Sequence, residues 1–334
     1  MKKISDVIKT IDLPEKHSRV STVSVPSSLS STENVHALSA IDKRLARSSY
    51  NISMDDPENI TYQHSVFCQT GLPYRNPGDA VRFWERKQGM ATLRINAGEI
   101  LNPNTQCFVE IALPFGPKPR LILAHLNSEA LKKSSPVIEV GSSLTAFVKR
   151  IGLGANGRDV KAIKNHLSRL SSASIRLGFV EENHAVQVNT HIVEAFDLWF
   201  EKDQRQRVLW PSTIQLGENY FQSLMAHAVP LDERAVAALS HSAMGLDIYA
   251  WLAQRLHRVS PQKPQFITWV ALKDQFGWHY SKMFNFKRVF RKTLAIVLTQ
   301  YKDAKIYHND KGLTLCNSLP PVKSRTILIS SSKK

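Results

Sequence analysis

The sequence predicts an α+β chain, on three observations. Three helix-patterned segments between residues 120 and 170 are followed by two strand-like runs, ASIRLGFV and HAVQVNTHIVEAF, joined by the turn Glu181–Glu182–Asn183. A similar order returns from residue 232 to 316, now with a short strand, FITW, among the helices. The second helices share register at an offset of 125: Ser143-Leu144-x-Ala146-Phe147 with Ile151-Gly152 matches Thr268-Trp269-x-Ala271-Leu272 with Phe276-Gly277. Three helices and a β-hairpin form the order of a winged helix-turn-helix. Two tandem winged-helix domains with a flexible N-terminal tail are therefore expected.

The bulk properties agree. A chain of 334 residues suggests about two domains. With 43% apolar and 22% charged residues it is ordinary globular protein, which excludes collagen, coiled coil and wholesale disorder. The three cysteines (Cys68, Cys107, Cys316) are too few and too odd in number for a disulfide framework, which points to a reducing compartment. No apolar run reaches the ~18 residues of a membrane span. The N-terminus lacks the apolar segment of a secretory signal. A soluble, cytoplasmic protein is the expectation.

The charge is the unusual property: 44 Lys+Arg against 28 Asp+Glu, a net +16. Residues 1–60 hold eight of each and contribute nothing, residues 61–118 contribute +2, and residues 119–334 contribute +14. A basic, folded region is an electrostatic footprint for a polyanion such as nucleic acid. A membrane surface would call for an amphipathic anchor or a dense polybasic run, and neither is present.

The segments follow in order. Nine of the fifteen residues from Ser18 to Thr32 are Ser or Thr, a composition that buries little. A short docking helix is expected over Asn34–Ala46, within a tail assigned to 1–59. Residues 60–118 read as β-rich, with Pro and Gly closing each run. Helices are expected over LILAHLNSEALK, SSLTAFVKRIGL and RDVKAIKNHLSRL, then over DERAVAALS, LDIYAWLAQRLHRV, VALKDQFG and KMFNFKRVFRKTLAIVLTQY. A second hairpin falls on AKIYHNDKGLTLC. These readings place the first domain at 60–210, the second at 211–320 and a basic tail at 321–334.

Two helices have the pattern of reading helices. In the first, Val160, Ile163, Leu167 and Leu170 share one face, while Arg158, Lys161, Asn165 and Arg169 lie opposite with Lys164 at the edge. In the second, Phe286, Phe290, Leu294, Val297 and Tyr301 form the apolar stripe. Lys287, Arg288, Arg291 and Lys292 project away from it, and Lys282 and Asn285 sit in the first turn. Arg pairs with guanine, Asn with adenine, and Lys with phosphate, so both polar faces suit a major groove. The blander alternative is two solvated faces of amphipathic helices. The second hairpin adds Lys305, His308 and Lys311, diluted by Asp310, whereas Glu181 and Glu182 at the first tip would repel phosphate. DNA contact is thus assigned chiefly to the second domain, with self-association open to the first.

Catalytic motifs are lacking. Gly152-Leu-Gly154-Ala-Asn-Gly157 spells G-x-G-x-x-G but follows a helix rather than a strand and has no acid about 20 residues on, so it reads as a turn between helices. His64 and Cys68 have no second ligand pair at zinc spacing. Asp55-Asp56 has no catalytic partner, and no phosphate-binding loop or His–apolar–His pair occurs. No enzymatic activity, cofactor or metal is expected.

The segments HSVFCQTGLPYRNP, Trp84, MATLRINAGEI, LPFGPKPRLILAHLNSEA and FVKRIGLGANGRDVKAIKNHLSRL resemble plasmid replication initiators of the RepA type from Gram-negative bacteria, over about residues 60–318. The resemblance implies an initiator that binds repeated sites (iterons) in double-stranded origin DNA, opens an AT-rich segment and recruits the host replication initiator and replicative helicase. It also implies tandem winged helices and a homodimer-to-monomer balance that tunes copy number. A transcriptional repressor on the same scaffold, or an origin-nicking enzyme, are the alternatives.

Overall fold

The computed structural model describes residues 39–323, apart from 103–104, 140–147, 150–151, 155, 182–183 and 196–212. It is a mixed helix and strand structure, as expected, built around two apolar cores. The helix expected over 142–153 and the first hairpin's tip fall mostly outside the described residues, as do residues 1–38 and 324–334.

Helix α1 (Ala40–Met54) begins where the Ser39 hydroxyl accepts from the Asp42 amide, six residues later than Asn34. It is not part of a free tail. Leu45 and Ile52 are buried, the Gln300 side chain donates to the Leu45 carbonyl at 3.0 Å, and Arg234 donates to the carbonyls of Asn51 and Asp55. Strand β1 (Ile60–His64) follows, then α2 (Ser65–Thr70), a helix that the β-rich reading of this segment missed. Its cap is unusual: His64 Nδ1 accepts from the Val66 amide, while Val66 and Phe67 are buried beneath it.

Strands β2 (Phe83–Gln88), β3 (Ala91–Asn96), β4 (Glu99–Asn102) and β5 (Cys107–Glu110) lead to α3 (Pro117–Lys133) and β6 (Val137–Glu139). Helix α4 (Gly157–Ser172) carries the first candidate face, and β7 (Ser174–Glu181), β8 (His184–His191) and β9 (Val193–Ala195) follow. One four-stranded antiparallel sheet runs β2-β3-β7-β8, with Leu93 opposite Leu177 and Ile95 opposite Ile175. These alternate residues face inward with Ile163, Leu167 and Leu170 of α4, so period two on the strands meets a helical stripe. Strand β10 (Thr213–Leu216) and helix α5 (Glu218–His227) still belong to this first core, through Ile214, Leu216, Tyr220 and Leu224. The division thus lies beyond 210/211, and α1 packs into the second core despite preceding the first in sequence.

Strand β11 (Ala228–Asp232), α6 (Glu233–Ala238) and α7 (Ala243–Arg255) open the second unit. Strand β12 (Gln265–Thr268), α8 (Trp269–Phe276), α9 (Met283–Thr299), β13 (Ile306–His308) and β14 (Gly312–Leu315) complete it. The three strands form an antiparallel sheet, β12-β14-β13, whose Leu313 and Leu315 pack with Trp269, Phe286, Phe290 and Leu294.

The two units are tied by contacts far apart in sequence. Strand β1 pairs with β11 over five residue pairs. The Arg120 guanidinium holds both Asp247 carboxylate oxygens, at 2.6 and 2.7 Å, and donates to the carbonyls of Leu72 (2.6 Å) and Gly116 (2.7 Å). Gly71 has φ 72°, and a Cβ there would stand in contact with Asp247, so the chain passes the ion pair only without a side chain. Trp84 meets Trp278 edge-on at 4.7 Å, and Arg86 donates to the carbonyls of Asp274 and Gln275 at the end of α8.

Two histidines are buried neutral. Burial, and then the charge of His227, lowers His64 to about 3; it packs on Tyr220 at 5.8 Å and shares a hydrogen bond with Ser223 at 3.0 Å. Burial, and then Arg169 and Lys118, lowers His166 to about 4, edge-on to Phe115. Such a group binds its proton in the unfolded chain below about pH 6.5 but not in the fold, so stability falls as pH drops through that range. The loss is about 1.4 kcal/mol per pH unit for each such histidine. His166→Leu should therefore make the decline in urea-unfolding free energy between pH 6.5 and about 4 shallower by about that slope. An unchanged slope would place the proton elsewhere.

Candidate nucleic-acid interface

Helix α9 is fixed by its apolar stripe. Phe286 and Phe290 are fully buried, 5.4 Å apart, and both meet Trp269 edge-on, at 6.5 and 6.0 Å. This burial dictates which residues remain outside. Lys282, Arg288 and Lys292 are exposed and Asn285 is half-buried. Lys305, His308 and Lys311 are exposed on the hairpin beside it.

Lys287 and Arg291 are placed differently from the sequence expectation. Both are half-buried and lie over Trp269, with Lys287 Nζ at 5.5 Å and the Arg291 guanidinium at 4.9 Å from the ring centre. Lys287 donates to the Asp310 carbonyl at 3.2 Å and Arg291 to the Asn309 carbonyl at 3.4 Å. Trp269 Nε1 donates to the same Asn309 carbonyl at 2.9 Å, and Arg291 stands 3.8 Å from the Asp310 carboxylate. Asn309 Oδ1 accepts from the amides of Lys311 (2.9 Å) and Gly312 (3.0 Å), which sets the turn. These two cations fasten the helix to the hairpin tip and leave the outward row to Arg288 and Lys292. The sequence missed Trp269 as their common seat; the i, i+4 spacing of 287 and 291 was the only local signal.

Helix α4 is capped by Asn156, whose Oδ1 accepts from the Asp159 amide at 2.9 Å. Asp159 pairs with Lys118 at 3.0 Å, and that hydrogen bond holds its carboxyl below the usual range. Arg158 and Lys161 are exposed, and Lys164 is half-buried. Arg169 turns inward: it donates to the Leu113 carbonyl at 2.9 Å, lies 5.0 Å over Phe115 and takes Asn165 Oδ1 at 2.6 Å. Burial lowers its pKa from the usual value. Arg169 and Asn165 thus bind one another and the loop before α3, and the open cations of α4 are Arg158 and Lys161. The α9 face is the richer of the two.

Among the described residues, no group of three or more His, Cys, Asp or Glu is placed to hold a metal ion. His64 and Cys68, one candidate pair, are both buried within the fold, and burial pushes the Cys68 thiol up. The glycine-rich segment leads into α4, whose first residue is Gly157, and Gly152 has φ 74°. No helix among the described residues is long and apolar enough to cross a membrane.

Comparison with known proteins gives three findings. Two solved structures are similar: domains 2 and 3 of RctB, at 10% identity over 76% of this chain and 98% of that one (TM-score 0.47), and RctB 155–483, at 9% identity over 75% and 94% (TM-score 0.42). No curated protein sequence matches the chain. The model of one family, described as the plasmid-encoded RepA protein, matches residues 113–271, from the loop before α3 into α8. That match covers just under half of the chain, and over those residues the chain is similar to the plasmid-encoded RepA family, the one its sequence resembles.

Proposed function

We propose that this protein is a replication initiator that binds repeated sites in duplex plasmid origin DNA. In this reading it opens the origin and recruits the host initiator and helicase without catalysing a reaction itself. The family match over 113–271 supports a plasmid replication role. The observation that carries DNA binding is the outward row of α9, where Arg288 and Lys292 stand exposed beside Lys282, Lys305, His308 and Lys311. Each unit has a helix, α4 or α9, followed by an antiparallel hairpin, the layout of a winged helix. We read the two as tandem winged helices, with α9 in a major groove and the second hairpin against the flanking backbone. Homodimer formation through the first unit belongs to the same proposal.

Footprinting on DNA flanking its gene should reveal short direct repeats; uniform protection without sequence preference would contradict the reading. Arg288→Ala should weaken binding to such a repeat by about 1–3 kcal/mol and relax preference at one base pair. Lys292→Ala should weaken all sequences alike and lower the slope of log K against log salt by about 1. Gel-shift titrations over a salt series check both, and unchanged affinity for the pair would remove α9 from the interface.

A further inference from the structure

Helix α9 carries three phenylalanines, and only two belong to the core. Phe286 and Phe290 are fully buried, but Phe284 is 74% exposed in the first turn. A single exposed apolar side chain is ordinary on a protein surface. Its position is what sets this one apart. Residues 284, 288 and 292 are spaced by four, so Phe284, Arg288 and Lys292 form one row along the open face. The cations of the neighbouring row, Lys287 and Arg291, are turned onto Trp269 and the hairpin tip. Phe284 therefore heads the row that α9 presents outward, with Ser281 and Lys282 exposed just before it.

A phenyl ring offers nothing to a phosphate, and a row selected only for charge would not place one there. The major groove has one apolar group on its base edges, the 5-methyl of thymine. The N-terminal residues of a reading helix are the ones that reach base edges. Resting on the DNA-binding reading above, we infer that Phe284 is a specificity-determining residue that packs on a thymine methyl, beside the base or phosphate contacts of Arg288 and Lys292.

The test uses full-length protein and a site selected by it from a randomised duplex pool. Each thymine of that site is replaced singly by uracil, which removes only the methyl. Wild type should lose about fourfold in affinity at one or two positions, the worth of one buried methyl. Phe284→Ala should bind the thymine and uracil forms equally there, with an affinity near that of wild type for the uracil form. Its thermal unfolding should match wild type, because the side chain is outside the core. A wild type indifferent to every uracil overturns the inference. So does a Phe284→Ala protein that keeps the full thymine preference, as expected if this ring meets a protein partner instead. Selection of no sequence at all would overturn the DNA-binding reading itself.

Discussion

Asp247→Ala should cost about 3–5 kcal/mol of folding free energy, read as a fall in the urea midpoint, because it leaves the Arg120 guanidinium charged and buried without its counter-ion. The pair is almost fully enclosed: its side chains are 5% and 11% exposed. Arg120 projects from α3 in the first unit and Asp247 from α7 in the second, so the loss falls on the junction between them. Replacing both partners by apolar residues, Arg120→Met with Asp247→Leu, removes the stranded charge and should recover much of the loss. Recovery should stay incomplete, because Arg120 also satisfies the carbonyls of Leu72 and Gly116, and each lost bond costs about 1 kcal/mol. A double variant no better than Asp247→Ala would show that the ion pair is not what the junction depends on.

Phe290→Ala should cost about 3–5 kcal/mol for a different reason, the cavity left at the centre of the second core. The ring is fully buried among Trp269, Phe276 and Phe286. These partners are also what holds α9 at its angle to the hairpin, since Trp269 seats Lys287, Arg291 and the Asn309 carbonyl. The variant should therefore lose both thermal stability and DNA affinity. Arg288→Ala, at an exposed position, should lose affinity alone. Calorimetry beside gel shift separates the two, and a Phe290→Ala protein of wild-type melting temperature would refute the core assignment.

The sequence showed what is periodic and local. The stripe of α4 lies within that helix and that of α9 runs on to Tyr301 just past its end, so the apolar residues named from the pattern are buried, except Val160, which is half-buried. It could not show what depends on distant partners. Arg120 and Asp247 are 127 residues apart, and nothing in either neighbourhood marks them as a pair. Helix α2 is six residues long, too short for a helical period to register, and its cap is a histidine rather than the usual Ser, Thr, Asp or Asn. Arg169, Lys287 and Arg291 sat on the polar side of their helices by angle alone. Aromatic rings and carbonyls from neighbouring elements, Phe115 with Leu113 and Trp269 with Asn309, drew them out of the open face. Phe284 was not named from the sequence, because it lies off the apolar stripe and carries no charge or hydrogen-bonding group to mark it on the polar face.

The central claim is that this chain starts replication rather than only occupying DNA. A circular DNA holding the gene, its flanking sequence and a resistance marker, with no other origin, tests it directly in a Gram-negative host. The account predicts stable transformants that carry the circle as a free plasmid, and none when the gene is frameshifted. Absence of transformants with the intact gene, alongside a protein that still protects repeats next to it, would contradict an initiator and leave a repressor.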